Sequence, residues 1–185
     1  MIDTRTGKPG HAQPARRLVS DLIQRKGPRT GRRQNGFLRA TDMETQMKIL
    51  VATDGSKFSA LAVNYLVAHA DQFKDAQVTL LTVHLPIPGR AAAQLGREVV
   101  RDYYGAECEK ALKPARSALK KAGIAFTDTW TVGNPGDEIS EFATKGKFDM
   151  VVMGSHGHGF FGALMLGSVA TRVLAGCKVP VLVIR

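Results

Sequence analysis

The sequence predicts an α/β fold: a parallel β-sheet covered on both faces by helices. Three observations carry this. Five short apolar runs read as buried strands, and stretches with apolar residues at helical spacing separate them. Strands that alternate with helices pair in parallel, with the helices packed over both faces. Between Met153 and Val169 a strand-like run leads straight into a glycine-rich loop and then a helix, an order that wraps backbone N–H groups around an anion.

The elements follow in order. The first strand is expected over residues 48–53, ending in the turn Thr53-Asp54-Gly55-Ser56. Phe58, Leu61, Ala62, Tyr65 and Leu66 then recur at helical spacing. Residues 77–84 form the second strand, closed by Pro86 and Pro88. A helix is expected over about 95–122, with Cys108, Ala111, Leu112, Ala115, Ala118, Leu119 and Ala122 on one face and Gly123 as its stop. Pro114 should kink or break it. The third strand covers 124–132, and Pro135 opens the helix carrying Ile139, Phe142 and Ala143. The fourth strand is expected at 148–153, the last helix at 168–175 with Gly176 as its stop, and the fifth strand at 179–184.

A length of 185 residues favours one domain with a tail. The net charge of +10 is uneven: residues 1–46 hold 10 Lys and Arg against 4 Asp and Glu, residues 47–185 hold 16 against 12. The excess belongs largely to the tail, which weakens a nucleic-acid reading of the total charge. Residues 1–46, rich in Gly, Pro, Arg, Gln and Thr, read as a basic low-order extension, dispensable for folding and ligand binding. Any nucleic-acid contact would come through it. The folded domain is expected at 47–185. Cys108 and Cys177 form no C-x-x-C pair, which points to a reduced, cytoplasmic setting. No run approaches the ~18 apolar residues of a membrane span, and the N-terminus lacks the apolar stretch of a signal peptide.

The glycine loop carries the chemistry. Gly154 and Gly157 lack Cβ, so the loop can turn tightly and approach an anion closely; Gly167 does the same at the helix entry. Ser168 reads as the N-cap, with a hydroxyl for a phosphate oxygen. The spacing is G-x-x-G, nine residues, then Gly-Ser, neither a Walker A loop nor a dinucleotide fingerprint at the first strand. Asp54 and Gly154 stand at carboxyl ends of strands, where such sheets bind ligands. Asp54 and Ser56 can also cap the helix that follows. His156 and His158 have no third metal ligand nearby, so no metal is expected from protein groups alone; Mg²⁺ would ride on phosphates. His84 reads as a structural histidine. No catalytic base is placed by the loop, and a binding module outranks an enzyme.

These segments resemble the universal stress protein family, in its nucleotide-binding branch. The resemblance spans residues 47–185. It rests on Ala52-Thr53-Asp54-Gly55-Ser56, Val83-His84, Gly133-Asn134-Pro135, the loop from Gly154 to Ser168, and the terminal Val179-Pro180-Val181-Leu182-Val183. It implies a Rossmann-like three-layer α/β/α sandwich with a five-stranded parallel sheet of order 3-2-1-4-5, ATP or AMP as ligand, cytoplasmic residence and a homodimer. The implied role is stress response or signalling with little or no turnover. The alternative is an adenylate-handling enzyme, by slow ATP hydrolysis or nucleotidyl transfer.

By position, the resemblance implies Ala52 and Asp54 beside the adenosine and Val83 meeting adenine through its backbone. It implies Met153 and Gly154 at the sugar and phosphate entry, and Gly157, His158, Gly167, Ser168 and Val169 at the phosphates. The residue after Gly157 is often basic in the family's ATP binders. Here it is His158, whose neutral imidazole offers one donor rather than a fixed charge, so triphosphate binding should weaken as pH rises through about 6.5. In the implied order the fifth strand is an edge, and Val181, Leu182, Val183 and Ile184 are expected to pair with a second copy.

Overall fold

The structure, a computed structural model, describes residues 46–157 and 166–185. Its elements run β1 (Lys48–Ala52), α1 (Lys57–Ala68), α2 (Ala70–Phe73), β2 (Gln77–His84), α3 (Gly89–Leu95), α4 (Arg97–Lys121), β3 (Phe126–Val132), α5 (Pro135–Lys145), β4 (Met150–Gly154), α6 (Ser168–Gly176) and β5 (Val181–Ile184). The five strands form one parallel sheet of order β3-β2-β1-β4-β5, the order that the resemblance implies.

Alternation along the strands explains the layers. Successive side chains leave a strand on opposite faces. Ile49 and Val51 of β1 join Leu80, Val152 and the inward residues of α1 and α4, among them Leu66, Leu112 and Leu119. Leu50 and Ala52 go the other way, to Leu81, Val151 and the inward residues of α5 and α6, among them Ile139 and Val173. Central β1 and β4 are therefore buried on both faces and read as unbroken apolar runs.

Boundaries depart from expectation where a local signal meets a tertiary constraint. The helix expected over 95–122 forms as α4, starting just after Gly96, where φ is +82°; α3, on the other side of that glycine, was not expected. Pro114 stands inside α4 and does not end it. Leu112 and Ala115 on either side are 1% and 3% exposed, and their burial outweighs one missing backbone bond. β4 starts later than expected, because the Phe148 N–H closes α5 on Ala143 O (3.0 Å). β5 begins at Val181, just past Pro180, which lacks an N–H. Leu61, expected on the packing face of α1, is exposed; Ser59, Ala62, Val63 and Leu66 form that face.

Both cysteines are free thiols. Burial, helped by the nearby Glu107 charge, pushes the Cys108 thiol up to about 11, so it stays protonated and inert at neutral pH. Among the described residues, no helix is long and apolar enough to cross a membrane.

The chain leaves β1 towards β2 and β3 on one side, then returns to place β4 and β5 on the other. This reversal opens a crevice beyond the carboxyl ends of β1 and β4.

Candidate functional site

The β1 side of the crevice is a hydrogen-bonded turn. The Thr53 N–H donates to Leu81 O (2.9 Å), and Thr53 O accepts from Thr82 Oγ1 (2.7 Å). The chain then turns at Gly55, where φ is +77°; a Cβ there would stand 3.0 Å from Ala111 Cα. Asp54 Oδ1 accepts the Ser56 N–H (2.9 Å), an Asx turn. Ser56 is the N-cap of α1 and accepts the Ser59 N–H (3.2 Å). Capping therefore falls to Ser56, and the second oxygen of Asp54 faces the glycine loop. A Cβ on Gly157 would lie 2.7 Å from Asp54 Oδ2. Two positions far apart in sequence, both expected at the site, meet here.

The β4 side is built around Ser155, which is 1% exposed. Its N–H donates to Ile184 O (2.8 Å), its carbonyl accepts the Gly167 N–H (2.9 Å), and its Oγ lies 2.9 Å from His156 Nδ1. The His156 ring packs on the Phe58 ring of α1, with centroids 5.0 Å apart. The three glycines have different neighbours. A Cβ on Gly154 would overlap Phe58 C and O at 2.5 Å; one on Gly167 would press on Ser155 O at 3.1 Å and His156 Cα at 3.2 Å. Of these glycines, Gly157 is the one set against Asp54.

The start of α6 supplies donors. Gly167, not Ser168, is the N-cap, because its N–H is tied back to Ser155 O and its extended backbone (φ −63°, ψ 154°) precedes the first helical residue. Gly167 has no side chain to cap the first turn, and helix-start N–H groups have no intrahelical partner. Ser168 is exposed at the first helical position, where its hydroxyl adds a further donor. Its neighbour Val169 is half-buried against the α5–α6 core. His158 lies outside the described residues.

β2 provides the third wall. The register pairs Ala52 with Leu81, but β2 continues to His84. Leu81 points its carbonyl at β1, so Val83, two residues on, turns its peptide edge the same way, where β1 has ended. His84 points to β3 and accepts the Gly133 N–H (2.9 Å). Its ring packs edge-on against Tyr103 and Tyr104. Ala52 and Met153, paired in register near the ends of β1 and β4, are 7% and 5% exposed and belong to the core between the sheet and α5–α6.

In the sequence His156 offers only an incomplete metal ligand set, and Ser155 carries no signal. Their part in the loop rests on contacts to Ile184, Gly167 and Phe58 that no spacing shows. Among the described residues, no group of three or more His, Cys, Asp or Glu could hold a metal ion. A cavity of about 80 Å³ between α1 and α4, lined among others by Thr53, Gly55, Ser56, Ser59, Pro114 and Ala118, borders the β1 turn from behind and is far smaller than the ~300–1,000 Å³ of a ligand pocket.

The fold and the crevice define a class: a doubly wound α/β domain with a glycine loop feeding a helix N-terminus at the strand-order reversal. The chain belongs to the universal stress protein family, whose model matches residues 46–185. Universal stress protein MJ0531 of Methanocaldococcus jannaschii is 33% identical over 143 residues, spanning 75% of this chain and 81% of that one. A universal stress protein solved in complex with cAMP is similar at a TM-score of 0.56 and 26% identity, over 75% of this chain and 97% of that one. A family protein from Arabidopsis thaliana with AMP bound shares the fold, with a TM-score of 0.52 and 18% identity over 75% and 90% of the two chains.

Proposed function

We propose that the crevice beyond β1 and β4 binds an adenine nucleotide, ATP or AMP, and that the chain serves as a stress-response or signalling module with little or no turnover. The observation that carries the reading is the approach of Gly157 to Asp54 Oδ2 beside the start of α6. In this arrangement Asp54 accepts from ribose hydroxyls and the Val83 peptide edge meets the adenine. Gly157, the Ser168 hydroxyl and the first-turn N–H groups of Ser168 and Val169 meet the phosphates. His158 joins them as a donor, and Mg²⁺ would bind through the phosphates. The cAMP and AMP held by structural relatives support the ligand class. Calorimetric titration with ATP, AMP, cAMP and GTP tests the reading. Binding of adenine ligands in preference to GTP, with no ADP released from ATP above the buffer rate, is the expected result. No heat with any adenine ligand would refute it.

The same reading includes a cytoplasmic homodimer paired through β5. β5 is a sheet edge, and Val181, Leu182, Val183 and Ile184 are all half-buried. An apolar edge strand of this kind is an aggregation hazard unless another chain covers it. The parent should scatter light as a dimer at tens of micromolar, and Val183→Lys should give a monomer that still unfolds cooperatively. A parent that is monomeric and free of aggregation would contradict the pairing.

A further inference from the structure

We propose that Lys57 is the cation that reads the phosphate chain, so that the crevice prefers a polyphosphate nucleotide to a monophosphate or a nucleoside. The inference rests on the adenine-nucleotide reading of the crevice and adds to it a residue and a ligand preference. Lys57 is the first residue of α1, directly after the Ser56 cap. A positive charge in the first turn of a helix opposes the helix dipole, which favours Asp or Glu there. The first turn of α1 contains no acidic residue to offset it. The helix dipole therefore gives no reason for lysine at this position, the only local compensation is a contact with the neighbouring Phe58 ring, and a local rule broken in this way points to a functional reason.

The geometry supplies that reason. Lys57 Nζ lies 5.0 Å from the centroid of the Phe58 ring, a cation–π contact. The Phe58 ring in turn lies 5.0 Å from the His156 ring. His156 stands where the glycine loop leaves β4 and returns to α6: its Nδ1 meets Ser155 Oγ, and its Cδ2 would be 3.7 Å from a Cβ on Gly167. Lys57, the Phe58 ring and the His156 ring, the last two inclined at 48°, thus form a chain of contacts from the start of α1 to the glycine loop, with two steps of 5.0 Å between ammonium and imidazole. Lys57 is exposed and has no carboxylate partner among the described residues. Its flexible four-carbon stem lets a point charge follow a mobile phosphate. The position after Gly157 carries His158 instead of a fixed cation; here the fixed charge comes from a different element.

The test is titration of the parent, Lys57→Met and Lys57→Arg with ATP, AMP and adenosine at low and high salt. Lys57→Met should bind ATP about three- to tenfold more weakly, AMP less affected and adenosine unchanged, with a flatter salt dependence for ATP. Lys57→Arg should retain ATP affinity. The thermal midpoint of Lys57→Met should equal or exceed the parent's, because a charge opposed to the dipole is removed. Parental ATP affinity in Lys57→Met at low salt overturns the proposal. So does an equal loss for ATP and adenosine, which would mark a structural role. A parent that binds none of the three ligands overturns the crevice reading itself, and this inference with it.

Discussion

Gly154→Val is expected to unfold in urea at a markedly lower midpoint than the parent, with a loss of at least about 1–3 kcal/mol. The Cβ would lie 2.5 Å from the carbonyl carbon and oxygen of Phe58 and 2.8 Å from the Ser59 nitrogen. All three are backbone atoms, so no side-chain rotation relieves the overlap. α1 cannot retreat easily, because Ala62, Val63 and Leu66 at 0–2% exposure hold it to the sheet. β4 cannot retreat either, since it pairs with β1 on one side and β5 on the other. The two methyls of valine add to a contact that one carbon already exceeds. A midpoint equal to the parent's would mean that α1 and β4 do not meet at this distance.

Gly157→Val is expected to do the opposite: adenine-nucleotide affinity falls by about tenfold or more while the urea midpoint changes little. The atom that a new Cβ would meet, at 2.7 Å, is Asp54 Oδ2, the far end of a side chain. It can rotate away, so the fold is spared. Rotation breaks the Oδ1 bond to the Ser56 N–H and withdraws the proposed ribose acceptor. The branched side chain also fills the space where phosphate would approach. Calorimetry and urea unfolding on the same preparation separate the two glycines. Parental affinity in Gly157→Val would refute the placement of the nucleotide. Gly167→Val discriminates less well, because its Cβ presses on the Ser155 carbonyl and His156 Cα and so disturbs fold and loop together.

Much of the architecture was legible in the residues. The β1 run Lys48-Ile49-Leu50-Val51-Ala52, the spacing of Cys108, Leu112, Ala115 and Leu119, and Pro135 after Asn134 are local signals, and each element formed where its pattern lay. Gly123, with φ +69°, follows the C-cap of α4 as its position implied. Local signals failed where they were outvoted. Pro114 could kink or break its helix, and the break does not occur, because it sits between residues whose burial keeps the helix running. Ser168 looks like a cap by type, but the cap went to the residue whose N–H Ser155 had captured.

For the candidate site the division has one physical cause. Residue type and short-range spacing determined that a glycine loop joins a strand to a helix, and that an Asp-Gly-Ser turn ends another strand. Both depend on dihedral preference and local hydrogen bonding, which the chain carries wherever it goes. Which glycine faces a carboxylate, which one makes room for a helix, and which ring lies beside the loop were decided by packing. Gly157 against Asp54, Gly154 against Phe58 and His156 against Phe58 are contacts between segments far apart in the chain. They exist only because the sheet sets β4 beside β1 and α1 packs across both.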